Sequence, residues 1–445
     1  MHGPIRRIWT SEGLDPFDLF LFLFADHPVA TVIGLATATW AYFYLSERVP
    51  LLGISTGRAG AGTVDSELPN KREAALAQIV QSDPAFDEAK FIERAISAFA
   101  AVDDGWNRSD LSGARPFVSD GVYERFRRQL AERKERGVRA RISELKLGGT
   151  EVLGYVAGPH FDAAYVSFTG SVDDELVAAE GERVVSGGRE DFIEVWTYLR
   201  RPGAKTLARS GPLDGCCPSC GAELKIVDAA QCPACSAWIS SGEYDWVLTE
   251  VTRFAAWAFP DPDREVGGWS DLRVADPGLS QEVLEDRAAA VFWRWLDARR
   301  RADPAPLSGV SSERFLKALT FDAAFEREAV VAGVETTACQ SLADVDRVHV
   351  QVSWDADQMR RREEGEAEFL GRESRTFFFI FERKRGVLSD PKAGLRTARC
   401  PACGAAPEQA DAASCPYCGH AFNDGSLTWV LAEVVPFGRW RRPDF

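Results

Sequence analysis

Eight of the ten cysteines fall in a spacing that occurs twice, and this repeat limits the possible folds more than any other feature of the 445-residue chain. Each occurrence is Cys-x2-Cys-x11-Cys-x2-Cys, so that all four cysteines recur at one constant offset along the chain. The cysteines are Cys217, Cys220, Cys232 and Cys235 in the first group, and Cys400, Cys403, Cys415 and Cys418 in the second. Zinc takes four deprotonated sulfur ligands in a tetrahedron, and two tight Cys-x-x-Cys turns on a hairpin supply them. The spacing therefore predicts two zinc ribbons, over residues 215–240 and 398–423.

All four positions of each ribbon are cysteine, which leaves no open coordination position and predicts two structural Zn2+ ions. The alternatives are disulfides or a thioredoxin-like redox pair, but redox pairs occur singly on a βαβ frame, which this sequence lacks. Glycine follows three of the four Cys-x-x-Cys pairs, at Gly221, Gly404 and Gly419, and permits a positive φ there. Ser236 follows the remaining pair. Zinc-bound thiolates require reduced cysteines, which favours the cytoplasmic side of a membrane.

Two cysteines are left over from the two groups, and one histidine lies next to the last cysteine pair. Cys216 directly precedes the first ligand, and we expect it to be a spectator. Cys339 is expected to be a small buried hydrophobic residue. His420 follows the last cysteine pair and is interpreted as a solvated loop residue, with a role as alternate ligand less favoured.

Other segments repeat together with the cysteines. A Trp-Val-Leu run at Trp246 recurs at Trp429, at the same offset as the cysteine groups. Nearer the N-terminus, Glu93–Phe99 resembles Asp286–Phe292 at a different offset, as loops of unequal length would require. These matches predict an internal duplication.

Each of the two predicted units, 84–258 and 277–440, begins with helices and ends with strands. Apolar residues between 91 and 106 follow helical spacing, and a second helix is predicted over 120–136. Alternation of residue types over 164–169 predicts a half-buried strand. Helices followed by an antiparallel sheet, with the cysteine hairpin inserted before the last strand, predict an α+β fold.

The first 50 residues carry a separate apolar segment. Residues 29–45 have no charged side chain over 17 positions, and a helix over about 28–46 would extend about 28 Å, close to the thickness of a bilayer core. This predicts one transmembrane helix; a buried or interfacial helix and a cleaved signal peptide are the alternatives. Residues 51–82 include a Gly-rich stretch and are expected to form a flexible tether. Because Arg48 and Arg58 closely follow the apolar segment, we expect the body after it to be cytoplasmic.

The charge balance limits the partners. The chain has 52 basic and 67 acidic residues, a net charge of −15, which argues against binding to nucleic acid because a polyanion repels such a surface. A local cluster of arginines between Arg125 and Arg141 is the exception. We interpret it either as a solvated helix face balanced by Glu124, Glu132 and Glu135, or as a contact with anionic lipid headgroups.

The sequence lacks the usual motifs of catalysis. It has no Gly-x-Ser-x-Gly, no phosphate-binding loop and no dinucleotide fingerprint. The doublets Asp103–Asp104 and Asp173–Asp174 are interpreted as a helix end and a loop. His349 is predicted on a strand as a satisfied or exposed histidine, with a place in a ligand pocket as the alternative. We therefore expect that the protein is not an enzyme.

Two stretches resemble the Tim-forty-four-like (Tim44-like) domain family. They are Asp83–Ala95 and Trp106–Glu124, and the resemblance continues through Val195–Arg201 to Trp246–Leu248. It covers most of residues 84–258, whereas the second unit is tied to the family mainly by the internal offset. The family is named for a mitochondrial inner-membrane import subunit and has bacterial members. The resemblance implies a nuclear-transport-factor-two-like fold, in which helices pack on a curved antiparallel sheet around a cone-shaped pocket, here in two divergent copies.

The resemblance also implies a membrane-associated, non-enzymatic domain linked to protein translocation or to assembly of membrane proteins. The zinc ribbons depart from the mitochondrial member. Together with the predicted anchor, these features predict a single-pass protein of a bacterial inner (plasma) membrane that acts as a scaffold for a protein or lipid partner. The alternatives are a small-ligand-binding or enzymatic pocket in the cone, and nucleic-acid binding through the ribbons. The sequence leaves the identity of the partner and the oligomeric state open.

Overall fold

The computed structural model describes most of the chain after residue 67. The described residues are 68–207, 211–224, 231–261, 264–362, 367–391, 394–395, 400, 402–403 and 412–443. The predicted transmembrane helix over 28–46 and residues 51–67 of the predicted tether lie outside this part. Within it, no helix combines the length and the apolar character that crossing a membrane requires.

Three helices precede an antiparallel sheet in the first half of the described chain. The elements are α1 Leu68–Ser82, α2 Glu88–Arg108, α3 Asp120–Glu135, β1 Val138–Ala157, β2 Asp162–Ala178, β3 Val184–Arg200 and β4 Val247–Arg253. The strands lie in chain order, and each pairs antiparallel with the next. The first cysteine group lies between β3 and β4, as the sequence predicts.

The second half has the same order of elements. They are α4 Trp269–Ala275, α5 Gln281–Arg301, α6 Glu313–Ala318, β5 Ala324–Ser341, β6 Val345–Arg360, β7 Glu368–Lys384 and β8 Val430–Pro436. The strands again lie in chain order and pair antiparallel, and the second cysteine group lies between β7 and β8. The molecule is therefore α+β, with two four-stranded antiparallel sheets and two cysteine groups.

The two halves correspond element by element. Strands β4 and β8 have equal lengths and are related by the same offset as the cysteine groups. Helices α2 and α5 also have equal lengths but are related by a larger offset. The change of offset falls between these elements, where α3 has 16 residues but its counterpart α6 has only 6. The second half therefore keeps the long helix and the sheet and has a much shorter helix between them.

The body begins earlier than the sequence predicts. The flexible tether expected over 51–82 is wrong for its last part, because residues 68–82 form helix α1. Ala75 and Ile79 of this helix are buried in the core of the first half, and Arg72 forms an ion pair with Glu88 of α2 at 2.8 Å. This helix forms because its apolar side chains are stabilised by burial, which the Gly-rich composition before it does not predict.

The N-cap of helix α2 explains where the helix begins, and its apolar stripe explains which face is buried. The Asp87 side chain accepts hydrogen bonds from the backbone N–H groups of Ala89 and Lys90 at 3.0 and 3.2 Å, which satisfies donors that the helix itself leaves free. Phe91, Ala95, Phe99 and Val102 are buried, as their spacing predicts. Ile96, on the margin of this stripe, is 36% exposed.

Aromatic side chains fill the space between helices and sheet in both halves. The ring centroid of Phe99 lies 4.9 Å from that of Phe168 and 5.0 Å from that of Trp196. In the second half, the centroids of Phe292 and Trp354 lie 4.9 Å apart. In both halves, aromatic rings therefore fill the space between the long helix and the sheet.

The opposite face of the first sheet is also covered along residues 163–167 of β2, which differs from the half-buried strand predicted over 164–169, although Thr169 on the same face is exposed. Tyr165 is 6% exposed because Trp257 and Phe259, which follow β4, pack on it with centroids 5.7 and 5.2 Å away. Leu395 of the second half joins the same apolar cluster. A strand covered on both faces loses the burial contrast that alternation of residue types implies.

The two halves pack together through helices α3 and α5. Arg128 of α3 donates to Asp297 of α5 over 2.6 Å, and Glu124 of α3 forms an ion pair with Arg294 of α5 at 2.9 Å. All four side chains are at most 6% exposed. Burial by itself raises a carboxyl pKa, but Arg294, Arg127 and Arg128 outweigh it and lower the pKa of Glu124 to about 2. The contact between the halves is therefore ionic as well as apolar.

The arginine cluster between Arg125 and Arg141 pairs within the chain. The contacts are Arg125 to the Val251 carbonyl, Arg127 and Arg128 to Glu124, Arg133 and Arg136 to Glu328, Arg139 to Glu182, and Arg141 to Glu175 and Glu182. Many of these acids come from strands rather than from the helix itself. The arrangement is closer to a face balanced by acids than to a set of cations available for lipid headgroups.

We predict that Asp297→Ala lowers the free energy of unfolding by about 3 kcal/mol, because it removes a buried carboxylate that Arg128, Arg300 and Arg301 contact. The matched control is Asp104→Ala at the equivalent position of α2, where the Asp104 side chain is 57% exposed and pairs with Arg108. We expect the control to change stability by less than about 0.5 kcal/mol. Urea unfolding at pH 7 measures both free energies of unfolding. Equal losses in the two variants would show that the buried contact between α3 and α5 stabilises the protein no more than the exposed ion pair of α2.

Candidate metal centres

The first cysteine group brings four sulfur atoms together. The Sγ atoms of Cys217 and Cys235 are 3.7 Å apart, and those of Cys220 and Cys232 are 3.8 Å apart. All four lie within 4.8 Å of one another. Cys217 and Cys232 are buried, and Cys220 and Cys235 are exposed. The first cysteine of each pair thus faces the protein, and the second faces solvent.

The second group has the same arrangement. The Sγ atoms of Cys400 and Cys418 are 3.6 Å apart, as are those of Cys403 and Cys415, and the four lie within 4.8 Å of one another. Again the first cysteine of each pair is buried and the second is exposed. Among the described residues, these two groups are the sets of His, Cys, Asp and Glu side chains that converge closely enough to hold a metal ion.

The sulfur separations fit a metal tetrahedron rather than disulfides. Sulfurs about 2.3 Å from a central ion would lie about 3.8 Å apart at the corners of a tetrahedron, whereas disulfide sulfurs lie about 2.05 Å apart. All eight cysteines are free thiols in the structure. Each group can therefore hold a metal ion such as zinc.

Backbone turns orient the sulfurs. After three of the Cys-x-x-Cys pairs the next residue donates its N–H to the carbonyl of the first cysteine, over 2.8 Å at Gly221 and 2.9 Å at Ser236 and Gly419. Gly221 and Gly419 have φ values of 78° and 73°, and Ser236 has 60°. Gly404 lies outside the described residues. Ser236 thus adopts the left-handed conformation that glycine takes in the equivalent turns, with the steric strain of a side chain.

The protein environment also separates the acidities of the thiols. A hydrogen bond from the Ala237 backbone N–H is the main reason why the pKa of Cys235 falls to about 7. Burial raises the pKa of Cys217 to about 12. An uncoordinated group therefore contains both thiols that ionise readily and thiols that do not, and a cation among them would favour the ionised form of all four.

The other candidate ligands remain outside both groups. Cys216 is partly exposed, and its Sγ lies 3.7 Å from the Asp214 carbonyl oxygen. Cys339 is fully buried in the core of the second half, and burial raises its pKa to about 12. His420 is exposed. These placements agree with a spectator, a small hydrophobic residue and a loop residue.

His349 lies on β6 beneath the segment that follows β8. Trp440 Nε1 donates to His349 Nδ1 over 3.0 Å, and the Trp440 ring stacks on Phe378 with centroids 4.0 Å apart. Burial, with a smaller contribution from Arg347, lowers the pKa of His349 to about 4. The imidazole is therefore neutral at pH 7, and its Nδ1 attaches a chain segment to the sheet. Its Nε2 is buried without a hydrogen-bond partner among the described residues, so the prediction of a satisfied histidine holds for one ring nitrogen only.

The two acidic doublets lie close enough for a carboxylate of one to repel a carboxylate of the other. Burial, and to a smaller extent the nearby Asp174, raises the pKa of Asp103 to about 6. Sequence reasoning placed the doublets in a helix end and a loop, and it gave no signal that α2 and β2 bring them together. Asp174 lies within β2, where it pairs with Ile142. The loop predicted for this doublet is therefore wrong.

The comparisons with known proteins concern mainly the first half. Residues 72–208 match the family model of the Tim44-like domain. This match begins in α1 and ends after β3, so it precedes the first cysteine group and β4. No curated protein matches the chain. The resemblance to the Tim44-like domain therefore holds for the helices and first three strands of the first half, and the second half stands outside the matched residues.

We predict that Ser236→Gly stabilises the first ribbon by up to about 1 kcal/mol, because relief of left-handed strain, about 1–2 kcal/mol, exceeds the entropic cost of glycine, about 0.5–1 kcal/mol. The reciprocal control is Gly419→Ser, since a Cβ at residue 419 meets no atom within 4 Å and only the strain is added. Calorimetric unfolding of metal-loaded protein measures both changes. We expect Ser236→Gly to raise the stability and Gly419→Ser to lower it. A loss of stability in Ser236→Gly would contradict the explanation.

Proposed function

We propose that each cysteine group holds one zinc ion as a closed, structural site. The support is the paired sulfur separation of 3.6–3.8 Å in both groups together with four cysteine ligands in each. Four thiolates fill a zinc tetrahedron and leave no position for a substrate. The role of the metal is then to hold the ribbon together, since the first ribbon has only a small core formed by Cys217, Leu224, Cys232 and Ile239.

We predict that purified protein contains two zinc equivalents, and that Cys220→Ser and Cys403→Ser each remove one of them. Both residues are exposed second members of their pairs, so their replacement disturbs packing little. The matched control is Cys216→Ser, which changes the neighbour of a ligand and should retain both ions. Elemental analysis of each variant provides the measurement. Fewer than two equivalents in the unaltered chain, or loss of one in the control, would contradict the assignment.

We infer that the chain acts as a membrane-anchored, non-enzymatic scaffold for a partner, in a bacterial inner membrane with the body on the cytoplasmic side. The match of residues 72–208 to the Tim44-like domain supports this, since such domains are associated with protein translocation and membrane-associated scaffolding. The apolar segment over 28–46 supplies the anchor in this proposal. Protection of the body from protease in intact spheroplasts tests its side of the membrane.

The packing inside each half favours a scaffold over an enzymatic or ligand-binding pocket. Phe99, Phe168 and Trp196 occupy the interior of the first half, with centroid separations near 5 Å. The internal pairing of the arginines between Arg125 and Arg141, together with the net charge of −15, disfavours nucleic acid as the partner. A ligand retained by purified protein would support the pocket instead, and salt-dependent binding of RNA or DNA would support a nucleic-acid partner.

Apolar side chains at equivalent hairpin tips offer a surface for a protein partner. Val184 and Val185, at the start of β3, are 42% and 44% exposed, and Phe369 and Leu370, in β7, are 59% and 44% exposed. Strand β4 pairs with β3 only from Glu194 to Leu199, so the tip of this hairpin extends beyond β4. Exposed apolar groups of this kind, repeated in both halves, suit a partner with an apolar protein surface.

We predict that the double replacements Val184→Ser with Val185→Ser, and Phe369→Ser with Leu370→Ser, each reduce recovery of a stoichiometric protein partner from solubilised membranes at least about fivefold, as expected for the loss of two buried apolar contacts. The matched control is Val274→Ser, because Val274 is 82% exposed but lies outside both tips. Quantitative mass spectrometry of cross-linked complexes provides the measurement. Equal recovery from all variants would exclude the tips, and salt-sensitive binding to anionic vesicles would favour a lipid partner.

A further inference from the structure

The chain segments on both sides of the first ribbon converge on one buried ion pair. Arg200, at the end of β3, donates from Nη1 to Asp83 Oδ2 over 2.8 Å. The same oxygen accepts hydrogen bonds from the Thr206 backbone N–H at 2.8 Å and from its hydroxyl at 2.6 Å. The Arg200 guanidinium lies 4.7 Å from the ring centroid of Trp246. We call Asp83, Arg200, Thr206 and Trp246 the first clamp.

The second half contains the same group. Arg383 donates from Nη1 to Asp276 Oδ2 over 2.8 Å, and this oxygen accepts from the Ser389 hydroxyl at 2.6 Å and from its backbone N–H at 3.0 Å. The Arg383 guanidinium lies 4.3 Å from the ring centroid of Trp429. We call Asp276, Arg383, Ser389 and Trp429 the second clamp.

The two clamps occupy equivalent positions. The arginine, the hydroxyl residue and the tryptophan recur at the offset of the cysteine groups, and the aspartates recur at the larger offset that relates helices α2 and α5. Both ion pairs are almost fully buried, with side-chain exposures of 1% for Arg200 and Asp83, and of 2% and 3% for Arg383 and Asp276. Burial of a charge pair is costly, and here Arg200 Nε and Nη2, Arg383 Nε and Asp83 Oδ1 have no hydrogen-bond partner among the described residues. Because such an ion pair is present in both halves, we expect it to have the same structural role in each.

Each clamp holds the two ends of its ribbon. Thr206 lies 11 residues before Cys217, the first sulfur ligand, and Trp246 lies 11 residues after Cys235, the last one. Ser389 and Trp429 lie at the same distances from Cys400 and Cys418. Both members of each set contact the same arginine–aspartate pair, so the two ends of the inserted segment are fixed at one point.

We propose that the clamps position the metal ligands, each for its own ribbon, and so increase the affinity of that site for zinc. This inference depends on the proposed zinc sites. Four cysteines on a free segment would lose chain entropy when they gather around an ion. A segment whose two ends are already held together loses less, and the metal binds more tightly. Asp83 and Asp276 do not touch the ligands, and they act through the chain ends that they hold.

Thr206→Val tests this role with little change of volume, since it removes only the hydroxyl bond to Asp83 and keeps the backbone bond. We expect the zinc affinity of the first site to fall about tenfold, which corresponds to about 1.4 kcal/mol and is of the size of one hydrogen bond to a charged group, and the second site to keep its affinity. Ser389→Ala should produce the reverse pattern. Chelator competition on the full chain resolves the two equivalents, and Cys220→Ser identifies the first site because it removes that ligand set.

Thr249→Val is the matched control, because Thr249 in β4 loses a hydroxyl bond to the Thr197 carbonyl, 3.2 Å long, that belongs to neither clamp. It should leave both affinities unchanged. Unchanged affinities in both clamp variants, or an equal loss at both sites, would overturn the inference, and a lowered thermal midpoint with unaltered zinc affinity would mean that the clamps serve stability alone. An unaltered chain that binds fewer than two zinc ions would overturn the proposed zinc function itself.

Discussion

A fully buried arginine requires a carboxylate, and in both halves of this molecule that requirement connects segments that lie far apart in the chain. Arg200 and Arg383 end the third strand of their sheets, and their partners Asp83 and Asp276 precede the long helices. Burial raises the pKa of a carboxyl group, but Thr206 and Arg200 outweigh it and keep the pKa of Asp83 below its ordinary value. The charge therefore stays on the aspartate, and helix, sheet and ribbon are attached at one place.

The two halves share one order of elements, but the equivalent elements have different structural roles. Helix α2 presents Asp104 to solvent, whereas α5 buries the equivalent Asp297 against α3 of the first half. The difference follows from the short helix α6, which replaces α3 in the second half, and from the ionic contacts that α3 makes with α5. The two halves thus share their topology but are combined asymmetrically.

The candidate metal sites could be found in the sequence because their ligands are local. Each Cys-x-x-Cys pair spans four residues, and only 11 residues separate the two pairs of a group, so spacing alone indicates that the sulfurs converge. The clamps could not be found in this way. Asp83 and Arg200 are 117 residues apart, and neither belongs to a motif. The same reason explains why the sequence does not reveal Asp297 and Glu328 as partners of the arginines in α3, since both acids come from the second half. Glu124, which pairs with Arg127 and Arg128, is local and belongs to the balanced face that the sequence predicts.

The sequence by itself determined the α+β order of elements, the repeat and the eight cysteines, because periodicity, spacing and turn chemistry act over short distances along the chain. Only the tertiary structure decided that residues 68–82 form a helix on the core, that the outer face of the first sheet is covered around Tyr165, and that Asp103 lies near Asp174. It also decided which charges are buried together. These features depend on side chains brought together from distant segments, where the free energy of burial and ion pairing outweighs local preference.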